Sequence, residues 1–508
     1  MNPRAKKIIL MVLAVVLLFG TSRVQNSLNH DRDRLGLTRV EPLENAPPVL
    51  AFTTVALGGF RGLISNMLWI RANELQEDGK YFEAVQLADW ITKLEPHFSM
   101  VWTYQAWNMA YNISVKFKQT EPGEYPDRWR WVKRGFELLR DEGLAYNPND
   151  VAIHQQLAWI FQHKMGANLD DANMYYKEKW AAEMMAILGT NLNRGFDELI
   201  DPQTEDQKRR AELLTKVYKM DPQLMKRVDE RWGPLEWRLP EAHAIYWAAR
   251  GLERAKENPT KVKEDDLIQL RRGIYQSMLL SFQRGRLLTN AFTGRFDLGP
   301  NLDIIPNVNE AYVQMMEEDP EKADNISKGH RSFLRQAVYS LYINNRVSEA
   351  AKWFKMLGEK YPNMPVIDNR DDSFPRTLTL EEYAFSSLQI DINETSRDRV
   401  KTALEGFMVQ AFSNLISGNY DRAIGFQLLA NKVWQIYRDK IPRDRWAAIG
   451  IPSPAEIRRT LLAEMLAPES GISPEARAIL QSELPEESAA ALRSLQIPGQ
   501  PNQPQRVD

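Results

Sequence analysis

The chain contains no cysteine in 508 residues. That excludes disulfides, thiolate metal sites and cysteine nucleophiles together. Histidine is scarce, with only His30, His97, His154, His163, His243 and His330. No two of them stand four apart around an acid, as a helical zinc pair requires. His154 and His163, nine apart on one expected helix, fall half a turn out of register, and Glu241 and His243 point to different faces. These histidines read as packed or solvated side chains. A Gly-rich phosphate loop, Gly-x-Ser-x-Gly and the kinase set are missing as well. No catalytic residue, cofactor or metal is therefore expected. Charge of one sign is also lacking, since 65 basic residues stand against 67 acidic ones for a net of −2. Such a balance offers no global field for DNA or RNA.

An apolar run of full membrane length is lacking too. Ile8 to Phe19 gives twelve apolar residues behind Arg4, Lys6 and Lys7. A spanning helix wants roughly 20 such residues and a signal-peptide core about 7–15. No Ala-x-Ala precedes Arg23, so residues 1–22 are expected to be an uncleaved signal anchor, an N-terminal transmembrane helix. A cleaved signal peptide and a buried core helix are the alternatives. The basic cluster then stays in the cytoplasm and the bulk of the chain lies on the extracytoplasmic, periplasmic side. Residues 23–48 are a polar spacer. Val49 to Ile70 is apolar but holds Gly58-Gly59 and Arg61, and an Arg in mid-span costs about 2.5–3.5 kcal/mol. This segment is expected to be the buried start of the folded domain, with a membrane-inserted segment as the other reading.

What the chain does have is a short recurring string. It reads Gly79-Lys80-Tyr81-Phe82-Glu83-Ala84, Asn345-Arg346-Val347-Ser348-Glu349-Ala350 and Gly418-Asn419-Tyr420-Asp421-Arg422-Ala423. Pro96 and Pro362 follow the first two alanines by twelve residues, and Ala72 and Ala411 precede the first and third by twelve. Small residues mark helix crossings, Gly or Asn ends the first helix, and Pro stops the second. A repeat of about 34 residues with this punctuation resembles the tetratricopeptide family. The resemblance implies an all-α, irregular α-solenoid of helical hairpins with loop insertions, a scaffold rather than an enzyme. Phe60-Arg61-Gly62-Leu63, Gln86-Leu87-Ala88-Asp89-Trp90-Ile91 and Trp237-Arg238-Leu239-Pro240-Glu241-Ala242-His243 also look like a set of large membrane-anchored repeat proteins of environmental bacteria.

Along the chain, residues 49–189 form the N-terminal repeats, with the pairs Val151–Lys164 and Leu169–Leu188 meeting at Gly166. Asp170-Asp171 is expected at the positive end of the latter helix. Residues 190–238 lose the helical period and read as an insertion. The range 239–375 holds central repeats with loops at 289–309 and 363–376, 376–466 a C-terminal repeat region, and 467–508 a mostly disordered tail poor in apolar residues. Eleven of the 14 tryptophans fall before residue 250, so the N-terminal half is where dense packing or a sticky surface is expected. Trp129 and Trp131 lie about 200° apart on a helix, which rules out one shared stacking face.

In the repeat register the inward positions are Asn66, Trp69, Asn73 and Gln76, then Thr103 and Trp107, then Arg335, Tyr339 and Tyr342. Rings and amides there suit a groove for a protein segment. The expectation is a non-catalytic, membrane-anchored scaffold for protein partners of the bacterial envelope. The rival is an envelope enzyme or polysaccharide-binding protein with a Trp-rich cleft built by the insertions.

Overall fold

The computed structural model describes residues 61–495 apart from 190–191, 258–261, 290–295, 345, 369, 394–396, 417, 419, 444–445, 447–449 and 468–471, together with parts of 13–31. The apolar residues 8–12 and 49–60 and the segment 496–508 lie outside the described residues. Residues 13–17 and 19–24 are helical, and among the described residues no helix is long and apolar enough to cross a membrane.

The architecture is almost wholly helical. A first hairpin joins α1 (Arg61–Glu77) to α2 (Tyr81–Leu94). Three further helices each run on into a π-helical turn. These are α3 (Ser99–Trp107) with Asn108–Ile113, α4 (Pro126–Glu137) with Leu138–Gly143, and α5 (Val151–Trp159) with Ile160–Gly166. Next come α6 (Asn173–Leu188), α7 (Leu192–Ile200), α8 (Glu205–Glu212) with a π turn at Leu213–Val217, α9 (Pro222–Trp232), α10 (Pro240–Glu257) and α11 (Glu264–Arg284). A small antiparallel hairpin follows, β1 (Arg286–Thr289) and β2 (Phe296–Gly299), registered Leu287 on Leu298. The chain continues through α12 (Ile305–Glu318), α13 (Ala323–Ile343), α14 (Val347–Lys360), α15 (Leu380–Asn393), α16 (Arg397–Ile416) and α17 (Tyr420–Lys440). It closes with α18 (Pro454–Leu466), α19 (Pro474–Glu483) and α20 (Pro485–Leu495).

The recurring string does what its residue types dictate. Gly79 and Gly418 sit at φ +74° and +73°, the left-handed region that ends a helix without cost only for glycine. Ala72, Ala84, Ala350, Ala411 and Ala423 are all buried, and α1 packs on α2, α13 on α14, and α16 on α17 as hairpins. Helix α2 stops at Leu94 before Pro96, and α14 at Lys360 before Pro362.

Four expectations need correction. Most of residues 192–232 are helical, because short local signals suffice there: Thr204 and Gln207 form a capping box, and Asp221 caps α9 with Pro222 in its first turn. Helix α6 begins at Asn173, so Asp170 is no helix-dipole acid and instead pairs with Lys164. The 289–309 loop holds half of a β-hairpin and the start of α12. The helical signals at Pro474–Glu483 and 486–495 within the expected tail do form helices, α19 and α20, but these are packed and not tail-like, with Leu480 and Ala491 completing a core with Phe412, Leu462, Ala463 and Leu466.

The chain divides into two compact units. The first comprises Met1–Phe117, Asp127–Ile160 and Trp247–Arg271, and the second Lys118–Pro126, Phe161–Tyr246 and Arg272–Asp508. In the first, Ala88, Ile91 and Val101 form a core against Leu68, Trp69 and Tyr104. The Pro96 carbonyl accepts from Trp102 Nε1 and Asn147 Nδ2, both at 2.8 Å, which pins the α2–α3 connection. Gly135 lets α4 lie on α3, since a Cβ there would stand 2.9 Å from the Ala106 carbonyl. Trp131 meets Phe82 edge-on at 5.4 Å and stacks near Phe117. His154 is buried, with Nδ1 donating to the Asp150 carbonyl at 2.8 Å.

Candidate functional site

Two places carry unusual chemistry, one in each unit.

In the first unit, α1 is apolar on two sides. Leu68, Ala72 and Leu75 face α2, while Asn66, Trp69, Asn73 and Gln76 share an arc about 80° wide beside them. The next helix presents Met100, Thr103, Tyr104 and Trp107 within about 100°. Trp69 ties the two arcs together. Its ring lies 4.8 Å from Tyr104 at 57° and 6.3 Å from Phe98 at 54°. One turn further on, Trp107 stacks on Tyr111 at 5.8 Å and 22°. Phe98, Met100 and Trp107 remain 45%, 57% and 37% exposed, and Asn66 and Asn73 are exposed amides. Trp69 is half-buried against the core, so it holds the row as much as it displays it. Tyr104 reaches the Ala72 carbonyl at 3.5 Å, and burial pushes its phenol up against the pull of Asn108. Six of the nine expected groove residues thus belong to one surface: Asn66, Trp69, Asn73, Gln76, Thr103 and Trp107.

The other three are engaged in the second unit. Arg335 pairs with Asp368 at 2.8 Å, and its carbonyl accepts from Tyr383 at 2.8 Å. Tyr339 is 9% exposed and Tyr342 half-buried. The 363–376 loop and α15, neither part of a repeat, fold onto that face of α13. The loop is held by Ser373, which bonds the backbone of Ile367 and Arg370. Arg335 is therefore engaged by its ion pair and Tyr339 is buried, while Tyr342 stays partly accessible.

The second place is a buried charge cluster that gave no signal in the sequence. Where the Ile160–Gly166 turn meets α6, Lys164 pairs with Asp170 at 2.5 Å, both nearly inaccessible. Lys177 donates to Asn168 Oδ1 at 3.2 Å and Asn173 Oδ1 at 3.0 Å, and Asn168 in turn donates to Asp398 at 3.0 Å. Glu241, in the first turn of α10, is 1% exposed and neither oxygen has a hydrogen-bond partner. Arg284 Nε stands 3.7 Å away, and glycine at 166 leaves the space beside the carboxylate open. Burial drives the Lys177 amine down to about 7, against the opposing charges of Glu241, Asp398 and Asp170. Burial drives the Glu241 carboxyl up, against Lys177 and Arg284. Desolvation thus works against the charged form of both side chains. Two residues on, His243 sits among Trp180, Phe161 and Trp237 at 4.8, 5.5 and 5.9 Å and donates from Nε2 to the Trp237 carbonyl. Its pKa falls to about 4 through desolvation. Among the described residues no group of acids and histidines could hold a metal ion.

No family model, curated protein or solved structure matches this chain.

Proposed function

We propose that the chain is a non-catalytic, repeat-built scaffold of the tetratricopeptide kind, anchored in a bacterial membrane by its N-terminal segment. On this reading its folded bulk is extracytoplasmic, and it holds a protein partner on the aromatic surface of α1 and α3. The observation that carries this reading is the pair of exposed rings Phe98 and Trp107 beside the half-buried Trp69 and Tyr104, with the exposed amides Asn66 and Asn73 on α1. Rings of this size exposed in numbers mark association surfaces, and central Trp and Tyr anchors dominate their energetics. The rival reading, a polysaccharide-binding protein or enzyme, lacks a comparable observation, since the charged residues that could act chemically are enclosed.

The test is recovery of partners from solubilised membranes with wild type and Trp107→Ala. Trp107 is partly exposed and rests on Tyr111, so its loss should leave melting unchanged while partner recovery falls about thirtyfold, the equivalent of roughly 2 kcal/mol. An unfolded variant would reassign Trp107 to the core. A folded variant that keeps every partner would remove the surface from consideration, and a protein absent from the membrane fraction would remove the anchor.

A further inference from the structure

Helix α1 carries another surface, on the side turned away from α2. Leu63, Met67 and Ile70 fall within about 60° there, opposite Leu68, Ala72 and Leu75, and are 52%, 62% and 60% exposed. Asn66 and Arg71 flank them. The same arc continues into the exposed carboxylates Glu74 and Glu77. It is therefore apolar only over its first turns, a length of about 10 Å. A stretch of helix that is apolar on its outer side as well as against its neighbours belongs in a larger core or in lipid.

Three features point to lipid. The sequence leading into α1, residues 46–60, holds no charged residue, so the apolar character of the arc extends upstream with Arg61 as its one interruption. The N-terminal helical residues 13–17 and 19–24 are exposed at every position, apolar ones such as Leu17 and Phe19 included, and a bilayer is what covers such a helix. Residues 25–60 connect it to α1, which places α1 within chain reach of the surface that holds it. The arc itself consists of aliphatic and thioether side chains, without the Trp, Tyr or Arg that anchor protein interfaces. Its length matches the roughly 5–10 Å to which an interfacial helix sinks into the headgroup and acyl boundary. Glu74 and Glu77 on the same arc would be repelled by an anionic surface, so the attraction is apolar insertion. Resting on the membrane reading above, we propose that α1 is a second membrane contact, with Leu63, Met67 and Ile70 seated in the headgroup and acyl boundary of a phospholipid bilayer and Glu74 and Glu77 in water. The first unit then lies against the membrane and does not hang from a tether.

The absence of cysteine allows one spin label to be placed at a time. The full-length chain is reconstituted in phosphatidylcholine vesicles carrying Leu63→Cys, Met67→Cys, Ile70→Cys, Glu77→Cys or Leu17→Cys, each with a nitroxide. All five positions are exposed, so the labelled chains should melt like wild type. Electron paramagnetic resonance then reads the collisions of each label with oxygen, which concentrates in lipid, and with a water-soluble nickel chelate. Labels at 63, 67 and 70 should show an oxygen-to-nickel ratio several-fold above that at 77, unchanged when anionic lipid is added. Ratios no higher than at 77, or a contact that forms only with anionic lipid, overturn the proposal. Labels shielded from both probes would put a protein segment over the arc and overturn it as well. If Leu17 reads as lipid while the arc reads as water, the anchor stands and this contact falls. If Leu17 and the arc both read as water, the membrane reading falls with it.

Discussion

Replacing Lys164 by methionine removes one half of an ion pair whose other half has no access to water. The two charged atoms stand 2.5 Å apart, and the side chains are 4% and 7% exposed. At an effective dielectric near 20 the attraction at this distance is about 6–7 kcal/mol. Desolvating the two ions costs several kcal/mol each, so the pair contributes little net stability, whereas a single ion left behind keeps its whole penalty. Methionine retains the length of the lysine and its packing over the Tyr176 ring. Asp170 would keep the Ala172 amide at 2.8 Å and the Tyr176 hydroxyl at 3.4 Å, neither of which carries a charge. Lys164→Met should therefore cost about 3–5 kcal/mol. Asp170→Asn, which still accepts from the Ala172 amide, should cost a similar amount by stranding Lys164. The double variant should return to within about 1–2 kcal/mol of wild type, because neither charge remains. Hydrogen exchange of residues 161–188 reads the local opening free energy, and each single variant should accelerate exchange there by two to nearly four decades. Single variants that change exchange by less than fivefold, or a double variant that sums the two losses, would refute the account of a closed, mutually dependent pair.

Ala84→Leu and Ala423→Leu place larger side chains where helices touch with no accessible surface to spare, and each should destabilise by roughly 1–3 kcal/mol in thermal melts. Wild-type melting for both would show that the repeat register is wrong. His243, held neutral by burial with a pKa near 4, binds no proton between pH 6.5 and 4 in the folded state but does so when unfolded. Its contribution is present above pH 6.5 and is lost as the pH falls toward 4, up to roughly 3 kcal/mol. His243→Gln, whose amide can still donate to Trp237, should flatten that part of the pH–stability curve by up to one proton, and parallel curves would contradict the assignment.

Hairpins announced by a glycine or asparagine turn, a crossing alanine and a closing proline were readable in the chain, as α1–α2, α13–α14 and α16–α17 illustrate. So was α18, whose Ser453 and Glu456 form a capping box. These signals are local and concern backbone geometry. Helices of eight to eleven residues in 190–238 escaped because two turns are too few to establish a period. The arcs on α1 and α3 follow from the helical register, whereas the engagement of Arg335 could not be read from it, because its partner Asp368 comes from a loop 33 residues further on. The charge cluster had no sequence signal. Lys177, Glu241, Arg284 and Asp398 come from four helices and are far apart in the chain, and a lone Lys or Glu near a helix end looks like any solvated one.

The π-helical turns let the helices that carry them differ in length without losing their packing. One residue added to an α-helix rotates everything after it by about 100° and would turn a buried stripe toward solvent. A π turn absorbs the extra residue locally and restores the phase of the following helix. Here the absorbed turns carry polar groups into the interior: Asn108, Arg140, Gln162 and Lys164 are all buried on them. A repeat that lengthens by one residue in this way keeps its crossing alanines in place and acquires an inward-facing polar side chain. Each such insertion is a point at which a plain hydrophobic helix pair can gain a specific hydrogen bond or charge without losing its packing.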